Sequence, residues 1–235
     1  MAVLGSELWP RLVQEAACGG ADHPFRILDV GANDGTLTEL IRSALLEQGG
    51  AAAVDAWGVD IDAGLVARAQ ARFPECRFAA CDFVVGTPPS FNNAFELVCC
   101  FGTTMWVHLN NGDEGLRRFL ERLADSARAA VVIEPQRWRS YHNARKRVRR
   151  EKLDGAVPRT FFELRIGSND ALERLIDEVM LARFADKRTL GTTRNWDRTI
   201  LVFSGRRGAQ GAPAPHPAAP PAAPPAHEEP CVHCV

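Results

Sequence analysis

The folds open to this chain are limited most by its local order around residues 25–48, FRILDVGANDGTLTELIRSALLEQ. A short apolar run enters a glycine-bearing turn, and a helix follows with Leu37, Leu40, Ile41, Ala44 and Leu45 at helical spacing. The alternation repeats. AVDAWGVD and DAGLVARAQARF read as the next strand and helix; CRFAACD and FELVCCFG are strands joined by the loop VGTPPSFNN. GDEGLRRFLERLADS is a helix, ARAAVVIEP a strand, and RWRSYHNARKRVRREK a basic helix. SNDALERLIDEVM is a helix opened by Ser and Asn capping signals. ARFADKRTL and DRTILVFSG have only the turn GTTRNW between them, so they should pair as a hairpin. Near-continuous apolar strands alternating with helices predict an α/β fold, a mostly parallel sheet covered on both faces.

With 46% apolar residues in 235, the chain can bury one globular core. The predicted division is a short segment over 1–24, a domain over 25–207, and a disordered Pro/Ala-rich tail over 208–235. The tail ends in CVHCV, a lone C-x-x-C pair that reads as a solvated terminus rather than a zinc site. MAVLGSELWPRLVQEA has no basic flank before an apolar core, and no run approaches eighteen apolar residues. Neither a signal peptide nor a membrane span is expected. Seven cysteines without a regular framework point to a reducing compartment, the cytoplasm or the nucleus. Residues 1–207 carry 28 basic and 27 acidic groups, so local clustering rather than net charge must identify any polyanion partner.

Ligands in such sheets sit beyond the carboxyl ends of the strands. Three strand ends carry suitable chemistry. Asp29-Val-Gly31-Ala-Asn33-Asp-Gly35 lacks the G-x-G-x-x-G spacing of a pyrophosphate loop; its G-x-N-x-G fits a turn around the methionyl part of S-adenosylmethionine, with a plain tight turn as the bland alternative. Asp60 ends AWGVD near the offset expected of an acid accepting from ribose hydroxyls, whereas Asp62 reads better as a helix cap. Asp82-Phe83 offers a carboxylate for an adenine amino group beside an aromatic able to cover the ring. A nicotinamide enzyme is the weaker alternative.

TTMWVHLNNGDEGL, IEPQRWRSY and NWDRTILVF resemble the signature segments of the Bicoid-interacting-protein-3 family of RNA methyltransferases, with the similarity running from Ile27 to Phe203. The branch acting on RNA 5'-monophosphates is the better match. The resemblance implies a class I, Rossmann-like methyltransferase with a seven-stranded sheet and S-adenosylmethionine as cofactor. It puts Asn33, Asp60, Asp82, Phe83 and Phe101 at cofactor-contacting positions, with Gly31 and Gly35 in the same loop. It also puts His108 and Asn110 in a substrate-side loop over Thr104–Asn111, with Gln136 and Trp138 beside it. Without the resemblance His108 would read first as a core histidine bonded to a backbone carbonyl, and Trp106 reads as core packing rather than a base platform.

The basic helix carries eight Arg or Lys residues between Arg137 and Lys152, with Glu151 the single acid. Trp138, Tyr141, Ala144 and Val148 can form its buried stripe, leaving a cationic surface that includes Arg145, Lys146 and Arg149 for RNA phosphates. The expected partner is a small RNA bearing a 5'-phosphate, bound by a monomer without metal. Three departures from the family pattern support an alternative, a catalytically weak RNA-binding module: no aromatic- and arginine-rich segment precedes Phe25, the 83–95 segment is short, and Arg137 stands where the family has proline.

Overall fold

In the computed structural model, which describes residues 24–47, 51, 53–193 and 196–208, the predicted alternation is present. β1 (Phe25–Val30), α1 (Thr36–Glu47), β2 (Val54–Asp60), α2 (Ala63–Arg72), β3 (Arg77–Ala80) and β4 (Phe95–Phe101) form the first half. α3 (Thr104–Ser126), β5 (Ala127–Glu134), α4 (Trp138–Arg150), α5 (Asn169–Leu181), β6 (Phe184–Thr192) and β7 (Thr199–Arg206) form the second. The N-terminal segment before Pro24 and the tail after Gly208, including CVHCV, lie outside the described residues.

The strands hold because both of their faces find apolar partners. Leu28, Val98, Ile133 and Phe203 enter one core layer with the helical residues Leu116, Phe119 and Ile176. Their neighbours Ile27, Leu97, Val132 and Val202 enter the opposite layer with Ile41 and Leu45. That period of two, apolar on both sides, is the signature of a central strand. The sheet order is β3-β2-β1-β4-β5-β7-β6; the first five strands are parallel, and β7 is antiparallel to both β5 and β6. The predicted hairpin therefore forms, with its second strand inserted next to β5. The order reverses at β1 and β4, so their loops diverge and open a crevice. At its base Gly31 touches Thr103: a Cβ on Gly31 would lie 2.1 Å from Thr103 Oγ1.

One expectation is corrected. Thr104–Asn111 is not a loop but the first two turns of α3, which kinks at Gly112, where φ is 69°. Met105, Leu109 and Leu116 bury one face of it. Its start is held from a distance: Gln136 Oε1 accepts from the Met105 N–H and the Thr104 hydroxyl, each at 2.9 Å. The predicted helix start at Gly112 survives as the second half of a bent helix.

Candidate active site

The cofactor side is built by the turn after β1 and the ends of β2 and β3. Gly31, Asn33 and Gly35 have φ of 84°, 53° and 77°. Gly35 is also pressed by packing, because a Cβ there would lie 2.6 Å from Phe78 Cζ. Asp60 fastens the turn: its Oδ2 accepts from the Asn33 N–H at 2.9 Å and its Oδ1 from the Asp62 N–H at 3.0 Å. A carboxylate has about four lone-pair positions, so Asp60 keeps acceptor capacity for a ligand. Asp62 caps α2 through Gly64 N and Leu65 N, as its place ahead of the helix predicts. Asp82 Oδ1 accepts from Val84 N and Val85 N, bending the chain after β3. Beneath the turn, buried Asp29 accepts from Thr38 Oγ1 at 2.7 Å, and burial raises its carboxyl to about 6.

Phe83 does not cover a ring at this site. It is buried and meets Phe119 edge-on at 5.9 Å, because the Asp82 turn directs it into the core. The apolar surface on the cofactor side comes instead from Ile61, 53% exposed beside Asp60, and Val85, 78% exposed beyond Asp82. The signal for Ile61 was present in the sequence as an aliphatic residue directly after a strand-end acid. Phe101 is half-buried at the end of β4, and its carbonyl accepts from Thr103 Oγ1 at 3.2 Å.

On the acceptor side, the residues that the resemblance places there bond mainly within the protein. His108 is 0% exposed, with Nε2 2.7 Å from Asp113 Oδ1 and Nδ1 3.1 Å from the Tyr141 hydroxyl. Burial lowers its pKa and the Asp113 bond only partly offsets that, so the ring is neutral at pH 7. The short contact to the carboxylate assigns the proton to Nε2, leaving Nδ1 to accept from Tyr141. Burial works against ionised Asp113, but bonds from His108 and from the Arg165 and Ile166 amides outweigh it and keep its pKa low. Asn110 Nδ2 donates to the Trp106 carbonyl at 2.8 Å. Gln136 is likewise buried, with Oε1 on the start of α3 and Nε2 donating to the Gly102 carbonyl. His108 and Gln136 thus brace the substrate side from within the core, whereas Asn110 is half-buried with its Nδ2 on the helix backbone.

α4 divides as its spacing predicts. Tyr141, Ala144 and Val148 are buried, and Trp138 stacks on Tyr141 with ring centroids 4.4 Å apart, so Trp138 is a packing residue here. Arg145 also leans inward: Nε donates to the Phe161 carbonyl at 2.8 Å and the guanidinium lies 5.5 Å from the Trp138 ring. Arg139, Lys146, Arg149 and Arg150 stay exposed, the last paired with Glu151. The cationic face therefore survives, reduced by Arg145. Among the described residues no three His, Cys, Asp or Glu residues gather as a metal site, and no helix is long and apolar enough to cross a membrane.

A family profile described as Bicoid-interacting protein 3 matches residues 95–205, and one described as a methyltransferase domain matches residues 27–126. A Xenopus laevis pre-miRNA 5'-monophosphate methyltransferase is 32% identical over 226 residues, covering 88% of this chain and 86% of its own length. The chain belongs to the Bicoid-interacting protein 3 family. A Homo sapiens RNA 5'-monophosphate methyltransferase is 29% identical over 235 residues, covering 92% of this chain and 78% of that protein. A Mus musculus 7SK snRNA methylphosphate capping enzyme is 36% identical over 117 residues, 48% of this chain and 17% of that protein.

Solved structures agree on the architecture. CurJ carbon methyltransferase superposes with a TM-score of 0.58 at 14% identity, covering 88% of this chain and 54% of that one. Magnesium protoporphyrin IX methyltransferase from Synechocystis, with bound SAH, gives 0.50 at 17%, covering 83% and 80%. This Bicoid-interacting protein 3 family member is a class I methyltransferase using S-adenosylmethionine, not a nicotinamide enzyme. The donor set fits that cofactor, with a strand-end carboxylate at Asp60 beside exposed Ile61 and a positive-φ turn at Gly31–Gly35.

Proposed function

We propose that this family member transfers methyl to the 5'-monophosphate of a small RNA. The observation that carries the reading is the cationic face of α4. Exposed Arg139, Lys146, Arg149 and Arg150 lie on the helix that follows the carboxyl end of β5. Its inner side meets α3 through the His108–Tyr141 contact. A polyanion is the ligand such a face suits, because guanidinium groups bind phosphate in bidentate fashion and clustered charge raises the local concentration of anions. The relatives that span most of this chain are named for RNA 5'-monophosphate and pre-miRNA 5'-monophosphate methylation, which supports the same acceptor.

S-adenosylmethionine, when bound, supplies an electrophilic methyl group; Asp60, Asp82, Ile61 and the Gly31–Gly35 turn are the residues that would hold it. The rest of the chain has to place an acceptor oxygen in line, and positioning alone can supply much of the rate. A terminal phosphate has a second pKa of about 6, so at pH 7 the acceptor is already anionic and no general base is needed. Neutral, fully bonded His108 suits this scheme: it links α3 to Tyr141 on α4 and, through Asp113, to the 165–166 segment. A cytoplasmic location belongs to the same proposal, supported by the free thiols of Cys76, Cys81, Cys99 and Cys100.

The test is radiolabelled methyl transfer to matched RNAs ending in 5'-phosphate or 5'-hydroxyl. Label should enter only the phosphorylated RNA, with a rate rising from pH 5 to about 7 and then level. Binding of both RNAs without transfer to either would favour the RNA-binding module instead.

A further inference from the structure

We infer that Trp196 is a stacking platform for the 5'-terminal nucleobase of the RNA acceptor, an inference that rests on the proposed acceptor. Trp196 is 68% exposed, and single exposed apolar residues are ordinary; its setting is what separates it. β7 runs antiparallel to β5 with Ile133 opposite Leu201, so the turn before β7 lies beside the carboxyl end of β5, at the mouth of the site. Arg198 ties the turn to that end. Its Nη1 is 3.6 Å from Glu134 Oε2, and it would lie 3.3 Å from a Cβ on Gly102, where φ is 62° just after β4.

The same guanidinium lies over the Trp196 ring, 5.2 Å from its centroid. One ring face is thereby taken by a cation, while most of the side chain stays open to solvent. The residues after the indole are braced: Asp197 N donates to the Thr193 carbonyl at 2.9 Å, Arg198 N donates to Thr193 Oγ1 at 3.1 Å, and the Asp197 carboxylate pairs with Arg137 at the start of α4. The two residues that follow the indole are thus anchored to the ends of β4 and β5 and to the start of the cationic helix.

A nucleobase suits that position better than a peptide side chain. The acceptor phosphate is joined directly to the first nucleoside, so a phosphate seated beside α4 carries its own base toward the turn that pairs with the start of that helix. Base–aromatic stacking is tolerant of sequence and strong enough to orient a single-stranded end. The Arg198 guanidinium behind the indole adds cation–π attraction to the stack. This gives the site a preference it would lack from phosphate contacts alone: the first base must be free to stack.

The experiment is a two-by-two binding cycle read by equilibrium titration with the full chain. It compares wild type with Trp196→Ala, using 5'-phosphorylated RNA with an intact or an abasic first nucleotide. The expected result is that Trp196→Ala weakens intact RNA about tenfold, that the abasic end weakens wild type similarly, and that combining them adds nothing. Trp196→Phe should restore most of the affinity, and SAH affinity, the folding control, should not move. Unchanged binding of intact RNA by Trp196→Ala, or equal loss on both RNAs, would overturn the platform, as would failure of the wild type to bind RNA. Because binding is read separately from transfer, methyl found elsewhere on a bound RNA would refute the phosphate acceptor while leaving the platform standing.

Discussion

Replacing Gln136 by Ala is the sharpest test of how the acceptor side is built. The side chain is buried and serves three groups: the Met105 N–H, the Thr104 hydroxyl and the Gly102 carbonyl. Each buried group left without a partner costs about 1–3 kcal/mol. Thr104 can rotate and water can enter the space vacated, so the three will not add fully; a net loss of about 3 kcal/mol is expected. For a chain of this size that lowers the melting temperature by about 6–12 °C. Thermal melts and urea titrations should show this loss, and RNA affinity per folded molecule, titrated well below the transition, should stay close to wild type. An unchanged melting temperature together with abolished RNA binding would refute the capping role and restore Gln136 as a substrate-binding residue.

Asp60→Ala should weaken SAH binding in calorimetry by about 1–3 kcal/mol, since it removes a ligand acceptor and loosens the Asn33 turn; Ile61→Asp should do so without touching that turn. Asp29, whose carboxyl burial raises from 3.8 to about 6, favours the folded state most when protonated. Stability should therefore fall as pH rises from about 4 to 6, by at most about 3 kcal/mol, and Asp29→Asn should flatten that part of the denaturation profile. Replacing Arg139, Lys146 and Arg149 by Ala should weaken RNA but not SAH, and the log–log salt slope should drop by about 0.7 for each RNA phosphate that no longer has a cationic partner.

Residues whose partners are close in sequence could be read in advance. The strands announce themselves because runs such as LVCC are apolar on both faces, and the cap at Asp62 follows from its place just before a helix. Distant partners hid the rest. WVHLNN looked like a loop because three polar residues interrupt it; what makes it helical is Gln136, about thirty positions away, and the burial of His108 between Asp113 and Tyr141. Phe83 and Arg145 carry the right chemistry for ligand contacts, yet the Asp82 turn and the Phe161 carbonyl direct them inward. The insertion of β7 beside β5 is likewise a choice between pairings that local spacing does not distinguish.

The acceptor atom is the claim on which the account depends, and the most direct measurement locates the methyl group. After reaction with 5'-phosphorylated RNA, nuclease digestion and mass spectrometry of the terminal nucleotide should place the methyl on its phosphate. The charge that phosphate loses should also leave the product bound less tightly to the α4 surface than the substrate. Methyl found on a base or a ribose hydroxyl, with the terminal phosphate unmodified, would contradict the account.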